Sequence, residues 1–366
     1  LYRDYADRKE DMFSDTDTQN GTDEFSSIKY KIFQQLSSSY RNSVSTRQFK
    51  KLEILIKVPF FIPFEQRVNL FYMFIAIDKQ RLRLDDDSVM MGLLMPWNHS
   101  GFTRQSATIS RENILEDACN AFNSIGERFK AKLAVTFVNE FGPEAGIDGG
   151  GITKEFLTSV SEEGFNGDKY DLFQTTDQHE LYPSTHIDPQ KLRYLWFLGK
   201  ILGKCLYDHV LIDVTFADFF VKKILNYSSR FTSSFDDLYS LDGTLYSNLV
   251  KLLSMSAKEI ESLDLYFDIN SDTNTSQVIE LIPNGSSTQV KKSNVLLYIF
   301  KVADFKLNRS LSKQIRNFHG GMSLVIAPHW MEMFNSVELQ MLISGGGKDI
   351  DLKDLKDNTE YGGYLG

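Results

Sequence analysis

The segment that decides the fold is Phe141–Phe156, which reads FGPEAGIDGGGITKEF. Its glycines, which end in the run Gly149–Gly151, give the backbone a freedom that other residues lack and are typical of a tight turn. From Ile152 onward, apolar residues recur at helical spacing. The segment therefore predicts a turn that feeds a helix, with Asp148 available to accept hydrogen bonds from the free N–H groups at the helix start.

A glycine run before a helix can also bind phosphate through those free N–H groups. The phosphate-binding loop requires a GK[ST] tripeptide directly after its glycines. None follows here, because Thr153-Lys154 stands at a different spacing. A structural turn is the favoured interpretation.

The same segment carries a resemblance to a known family. Its residues match the ExGxDxGGxxxE signature in the larger, N-terminal lobe of HECT-type ubiquitin ligases through Glu144, Gly146, Asp148, Gly150, Gly151 and Glu155. Further blocks resemble the family in the same order: Pro59–Val68, Thr108–Ala121, Phe197–Tyr207, Asn294–Gly321 and Val337–Gly345. The nearest branch is the one that includes the proteasome-associated ligases. The resemblance implies an α+β, mainly helical fold, a HECT large lobe whose small α/β subdomain carries a β-hairpin and binds an E2 ubiquitin-conjugating enzyme.

The composition limits the classes of function. The chain has 366 residues, 42% hydrophobic and 24% charged, which is ordinary for a globular protein with room for more than one subdomain. Its formal net charge of −9 argues against nucleic acid as a partner. Cys119 and Cys205 make no disulfide framework or zinc site, and no apolar run reaches membrane-spanning length. We expect a cytoplasmic or nuclear protein that uses no metal and no cofactor.

Periodicity and chain breakers divide the chain into elements. Helices are predicted at residues 27–57, Arg67–Lys79, Glu112–Phe122, Leu192–Tyr207, Leu241–Leu253, Val337–Ile343 and Asn294–Phe318, the last ending at Gly320-Gly321. Strands are predicted at Thr108–Arg111, Asp264–Asp268, Gln277–Leu281 and Thr288–Val290, with Asn284-Gly285 as the hairpin turn between the last two. The expected organisation is an N-terminal helical extension (1–57), a helical core (58–230), a small E2-binding subdomain (231–292), return helices (293–345) and a hinge region (346–366).

Leu192–Tyr207 is the most apolar of these helices and is expected to form the centre of the fold. Gly199 and Gly203 let another element approach it closely, at a cost in helix propensity of about 1 kcal/mol each. Cys205 and His209 lie four residues apart and could form a nucleophile and its base. Side chains at that spacing meet through helix geometry alone, and no third group orients the histidine, so packing is the favoured interpretation.

The chemistry that the resemblance implies is a two-step transfer of ubiquitin. The family takes ubiquitin from a charged E2 onto a cysteine thiolate and then passes it to a substrate lysine, which is covalent nucleophilic catalysis. That cysteine belongs to an LPxxxTC-like motif in a C-terminal lobe, and no such motif occurs here. Since the chain also begins without Met, we interpret it as the large lobe and hinge of a longer ligase, without a catalytic residue of its own.

Matched motif to motif, the family's E2-docking groove falls on Leu245, Asn248, Leu249, Leu252 and Met255 of the short helix, on Leu263 and Leu265 at a strand start, and on Tyr298 of the returning helix. Helical spacing agrees in part, because the leucines of the short helix form one stripe that could equally close the subdomain core. Three functions stay open. The first is the E2-binding part of a ligase that acts with ubiquitin, protein substrates and, by its branch, the proteasome. The second is a non-catalytic scaffold, and the third is a cysteine hydrolase built on Cys205 and His209.

Overall fold

The structure is a computed structural model that describes residues 59–82, 84, 105–144, 151–166, 169–225, 233–270 and 278–345. Its helices are α1 (Phe64–Arg81), α2 (Ile114–Phe122), α3 (Gly151–Phe165), α4 (Leu192–Tyr207), α5 (Asp218–Leu225), α6 (Leu238–Leu241), α7 (Gly243–Ser254), α8 (Ala257–Ser262), α9 (Val295–Asp304), α10 (Ser312–Ser323), α11 (Pro328–Met331) and α12 (Ser336–Ser344). Its strands are β1 (Gln105–Ser110), β2 (Leu133–Asn139), β3 (Gly142–Pro143), β4 (Phe173–Thr175), β5 (Leu181–Pro183), β6 (Asp268–Asn270) and β7 (Val278–Glu280). The fold is α+β and mainly helical, as predicted, while the predicted extension 1–57 and hinge 346–366 lie outside the described residues.

The centre of the fold is α4, whose residues are buried from Leu195 onward except for the partly buried Trp196. A Cβ placed on Gly199 would lie 1.9 Å from the carbonyl oxygen of Phe318 in α10. In return, a Cβ on Gly321 of α10 would lie 1.8 Å from the carbonyl oxygen of Trp196. Glycines on both helices thus bring the two backbones into contact, which confirms the predicted close approach to α4.

The segment that returns to this core is two helices rather than one. α9 ends at Asp304, a π-helical turn follows at Phe305–Arg309, and α10 continues to Ser323. The predicted helix end at Gly320-Gly321 is therefore wrong. Both glycines lie inside α10, since their lack of a side chain is needed for contact with α4 and outweighs their low helix propensity.

Two lysines lie within the apolar environment of α4. The Nζ of Lys200 donates to the carbonyl oxygens of Phe122 and Ile125 at 2.7 and 2.6 Å. The Nζ of Lys204 donates to the carbonyl oxygen of Lys130 at 2.8 Å. These carbonyls belong to the connection from α2 to β2, so each buried cation is hydrogen-bonded and holds that connection against the central helix.

Strands β1 and β2 pair in parallel with α2 as the crossover, and β3 adds to β2 in antiparallel fashion. β2 is missing from the sequence predictions, although Leu133, Val135 and Phe137 alternate in the manner of a half-buried strand. The predicted strand at Thr108–Arg111 corresponds to β1. The predicted bounds of α4 are confirmed.

The predicted hairpin turn at Asn284-Gly285 is wrong. β7 pairs with β6, and residues 271–277 between them lie outside the described part of the chain. The strand predicted at Asp264–Asp268 begins only at its last residue, with Tyr266 making an isolated bridge to Gln289. Asn284 adopts a left-handed φ of 57°, and a Cβ on Gly285 would lie 2.1 Å from a backbone oxygen of the neighbouring segment. The pair therefore serves a close backbone approach rather than a two-residue turn.

Candidate functional site

Helix α7 carries most of the predicted groove, and hydrogen bonds fix both of its ends. The Asp242 carboxylate accepts from the N–H of Leu245 at 2.7 Å and caps the first turn. At the other end, the Nζ of Lys292 donates to the carbonyl oxygens of Leu253 and Met255 at 2.8 and 2.7 Å. Because Lys292 lies three residues before the first residue of α9, Val295, this cation joins the end of α7 to the segment that leads into α9. No motif in the sequence marks Lys292 for that role.

The segment that follows α8 brings the remaining predicted residues towards α9. The carbonyl oxygen of Leu265 accepts from the N–H of Val290 at 2.8 Å, shortly before α9 begins. Two residues further on, the ring of Phe267 packs edge-on against the ring of Tyr298, with centroids 5.5 Å apart. Burial raises the pKa of Tyr298, and the negative charge of Asp268 raises it further, so the phenol stays protonated at neutral pH. α7, this segment and α9 thus converge in one small unit.

Burial divides the predicted groove residues into three groups. Leu249 and Leu252 are buried, and Leu249 keeps only 4% of its surface exposed. Partly buried are Leu245, Met255, Leu265 and Tyr298. Asn248 and Leu263 are exposed, Leu263 by 44%.

The stripe on α7 therefore has two roles. Leu249 and Leu252 close the core of the unit, as the alternative interpretation of the stripe held, and Leu249 is not the accessible centre of a docking surface. Among the predicted groove residues, Asn248 and Leu263 are the exposed ones, and the partly buried ones keep some surface that a partner can reach. The helical pattern in the sequence does not give the order of exposure along α7.

Cys205 and His209 do not form a nucleophile and base. Cys205 is buried inside α4, and burial raises the pKa of its thiol to about 12. The ring of His209 stacks on Tyr72 instead, with centroids 3.9 Å apart. Burial likewise raises the pKa of Cys119 to about 11. Since thiols with these pKa values stay protonated at neutral pH, the hydrolase interpretation is wrong.

The two glutamates of the glycine-rich signature share one cation. The guanidinium of Arg111 lies 2.7 Å from a carboxylate oxygen of Glu144 and 2.7 Å from one of Glu155. Hydrogen bonding from Arg111 lowers the pKa of Glu144. The intervening residues 145–150 lie outside the described chain, and α3 begins at Gly151 directly after them. The signature glutamates therefore fix both ends of the predicted turn, which is a structural role.

Neither a metal centre nor a membrane-spanning helix occurs among the described residues. In that part of the chain, no group of three or more His, Cys, Asp or Glu side chains could hold a metal ion. None of the helices described there is both long and apolar enough to cross a bilayer.

Comparison with known proteins supports the resemblance. The family model for the HECT-domain (ubiquitin-transferase) matches residues 158–366. The chain is 60% identical to E3 ubiquitin-protein ligase HUL5 of Saccharomyces cerevisiae, over 100% of this chain and 40% of that protein. It is 39% identical to the probable E3 ubiquitin protein ligase C167.07c of Schizosaccharomyces pombe, over 90% of this chain and 31% of that protein.

The similarity extends beyond fungi. Ubiquitin-protein ligase E3B of Homo sapiens is 35% identical over 87% of this chain and 30% of that protein. The chain spans less than half the length of each of these three relatives. Both the matched family model and the identity over the whole chain lead to one conclusion: the chain belongs to the HECT-domain family of ubiquitin transferases.

Proposed function

We propose that this chain is the part of a HECT-type ubiquitin ligase that recruits a ubiquitin-charged E2. The observation that carries the proposal is the accessible apolar surface of the α7–α9 unit. Leu263 is an apolar side chain that is 44% exposed, and Asn248 of α7 is also exposed. The partly buried Leu245, Met255, Leu265 and Tyr298 complete a shallow surface suited to one inserted apolar side chain of the E2.

The acceptor of ubiquitin, in this proposal, is a cysteine of a C-terminal lobe beyond residue 366. Both cysteines of the chain are buried thiols with raised pKa values, which makes them unsuited to attack a thioester. The relatives are more than twice as long as this chain, which leaves room for such a lobe in the parent protein. The lobe would then pass ubiquitin to lysines of protein substrates.

The division of the chain into extension, core, E2-binding subdomain, return helices and hinge also stays a proposal. So do the cytoplasmic or nuclear location and the association of the parent protein with the proteasome. The proposed location rests on the absence of a disulfide framework in the sequence, and the proposed proteasome association rests on the branch resemblance. Co-purification of the parent protein with proteasomes, compared with a version that lacks residues 1–366, would test the proteasome association.

The central experiment is a titration of purified, isotope-labelled E2 enzymes with this chain, followed by NMR. We expect some E2 enzymes to bind with an affinity on the order of micromolar, since an E2 must leave after each transfer. Their shifted resonances should cluster on loops that carry an exposed apolar side chain. If no E2 in a broad panel binds, or if Leu263→Glu leaves the titration unchanged, the docking surface is wrongly placed.

A further inference from the structure

The chain crosses between the helical core and the α7–α9 unit twice. It leaves the core after α5, and the described chain resumes in the unit at Ser233. It returns to the core through the π-helical turn Phe305–Arg309, which follows α9 and leads into α10. The two crossings meet at one side chain, that of Asn308 in the π-helical turn.

The amide of Asn308 joins both crossings to each other and to the core. Its Oδ1 accepts from the N–H of Ser233 at 3.1 Å and from the Nζ of Lys223 in α5 at 2.5 Å. Its Nδ2 donates to the carboxylate of Asp304 at 3.0 Å and to the carbonyl oxygen of Ser233 at 3.4 Å. One side chain therefore connects the entry to the unit, the exit from it and a core helix.

These bonds use both halves of the carboxamide. A carboxylate at position 308 would have no donor for Asp304 or for the Ser233 carbonyl, and an aliphatic side chain would lose all four bonds. Lys223 is 6% exposed, and burial lowers the pKa of its ammonium to about 8. Because a buried cation needs an acceptor, Asn308 and Lys223 depend on each other.

Polar and apolar contacts have different effects at this junction. The buried Leu238 belongs to α6, which contacts α5, so apolar packing also holds the unit against the core. The Nζ of Lys222 adds an ion pair with Asp237 at 2.8 Å. Apolar packing is non-directional, whereas hydrogen bonds restrict both distance and angle. The packing therefore keeps the unit attached, and the hydrogen bonds of Asn308 fix its orientation.

Asn308 lies apart from the proposed docking surface. Its partners Ser233, Lys223 and Asp304 are not among the predicted groove residues. Tyr298, the groove residue on α9, precedes Asp304 by six residues, which is about 9 Å along the helix. A change at Asn308 therefore leaves the docking residues in place and alters how the unit is held.

We propose that Asn308 is a positioning residue that fixes the orientation of the α7–α9 unit relative to the core, and through it the position of a bound E2. The proposal rests on the proposed function, because it assigns the orientation a role in ubiquitin transfer. A rotation at the junction displaces a bound E2 by an amount that grows with distance from the junction. The E2 then remains bound, but its ubiquitin is misplaced relative to the acceptor cysteine.

The first measurement is the distance distribution between two spin labels on the chain, attached at Lys154→Cys in α3 and Lys258→Cys in α8. Both positions are exposed, whereas the native Cys119 and Cys205 are buried, so the labels should react with the introduced thiols. Asn308→Leu should give a broader or displaced distribution. Asn317→Leu is the matched control, because it removes a bond to a carbonyl of its own helix, and it should change nothing.

A second variant separates orientation from stability. Asn308→Leu alone takes the acceptor away from the buried Lys223 ammonium, which costs stability. The double variant Lys223→Met/Asn308→Leu removes that cation as well, and its distribution should be as broad or displaced as that of the single variant. An unchanged distribution in both variants would overturn the proposal.

The second measurement uses the full-length ligase. Asn308→Leu should leave the Kd for E2 unchanged and slow transfer from saturating charged E2 by about tenfold, since a misplacement of 1 Å can cost about 100-fold in rate. An unchanged transfer rate, or a loss of E2 affinity as large as the loss of rate, would also overturn it. The distance measurement requires no E2, so a failure of the proposed docking surface can be distinguished from a failure of this inference.

Discussion

Truncation of Leu263 should weaken E2 binding without weakening the fold. Complete burial of a leucine side chain is worth about 1.5–3 kcal/mol. Leu263 has 44% of its surface left to bury against a partner, so Leu263→Ala should cost about 1 kcal/mol of binding free energy, or about fivefold in Kd. The melting temperature should stay within a degree or two of the parent value, because little of the unit's core is removed.

Leu249→Ala should show the opposite pattern. Leu249 is 4% exposed, and truncation of a buried leucine costs roughly 2–5 kcal/mol through the cavity that it leaves. For a protein of this size, each kcal/mol lowers the melting temperature by roughly 2–4 °C. Any loss of E2 binding should therefore accompany a loss of folded protein.

The assay is an NMR titration of an E2 that binds the parent chain, with a thermal melt of every variant. Leu253→Ala is the matched control, because Leu253 is 42% exposed on the same unit but lies outside the predicted groove. It should bind E2 as the parent chain does. The reasoning is refuted if Leu253→Ala weakens binding as much as Leu263→Ala, or if Leu249→Ala loses binding at an unchanged melting temperature.

Three further predictions concern the core. After incubation with E1, E2 and ubiquitin, the chain should show no reductant-sensitive ubiquitin adduct on a non-reducing gel. The reason is that Cys119 and Cys205 are buried, with pKa values raised to about 11 and about 12. An adduct that Cys205→Ala abolishes would contradict this prediction. Gly321→Ala should lower stability by about 1–3 kcal/mol or more in thermal or denaturant unfolding, because its Cβ meets the backbone of α4, whereas Gly126→Ala, with open space around it, should not. Burial lowers the pKa of His319 from 6.5 to about 4, so the unfolded chain takes up a proton first as the pH falls. The stability of the parent relative to His319→Gln should therefore fall by about 3 kcal/mol between pH 6.5 and 4 and remain level above pH 6.5.

The core helix could be predicted from the sequence because several signals agree there. Leu192–Tyr207 combines an apolar helical period with two glycines. Its bounds are as expected, and another helix does approach it closely at Gly199. The buried Lys200 could not be predicted, since its partners are backbone carbonyls that only the tertiary fold brings to it. The hairpin turn predicted at Asn284-Gly285 was wrong for a related reason. Gly285 is needed because the backbone of Phe267 lies against it, whereas the dipeptide usually indicates a local two-residue turn.

The sequence proposes which residues belong to the candidate site, but it does not show which of their side chains are exposed. Helical spacing shows that Leu245, Leu249 and Leu252 share a side of α7, but it does not show what covers that side. The burial of that side depends on elements far along the chain, such as α9, which contacts α7. The position of Lys292 depends in the same way on the end of α7, which local sequence does not reveal.

Some groove residues belong both to the core and to the proposed docking surface, so few variants can separate an effect on E2 binding from an effect on folding. Leu245, Met255 and Leu265 are partly buried, so each contributes one part of its side chain to the core and another to the proposed docking surface. A truncation at any of them should lower stability and E2 affinity together, and a loss of binding there would not discriminate between the two causes. Asn248 and Leu263 are the groove positions whose side chains are exposed. Because a small unit must use most of its apolar residues to fold, its binding energy has to come from the few that the core leaves free.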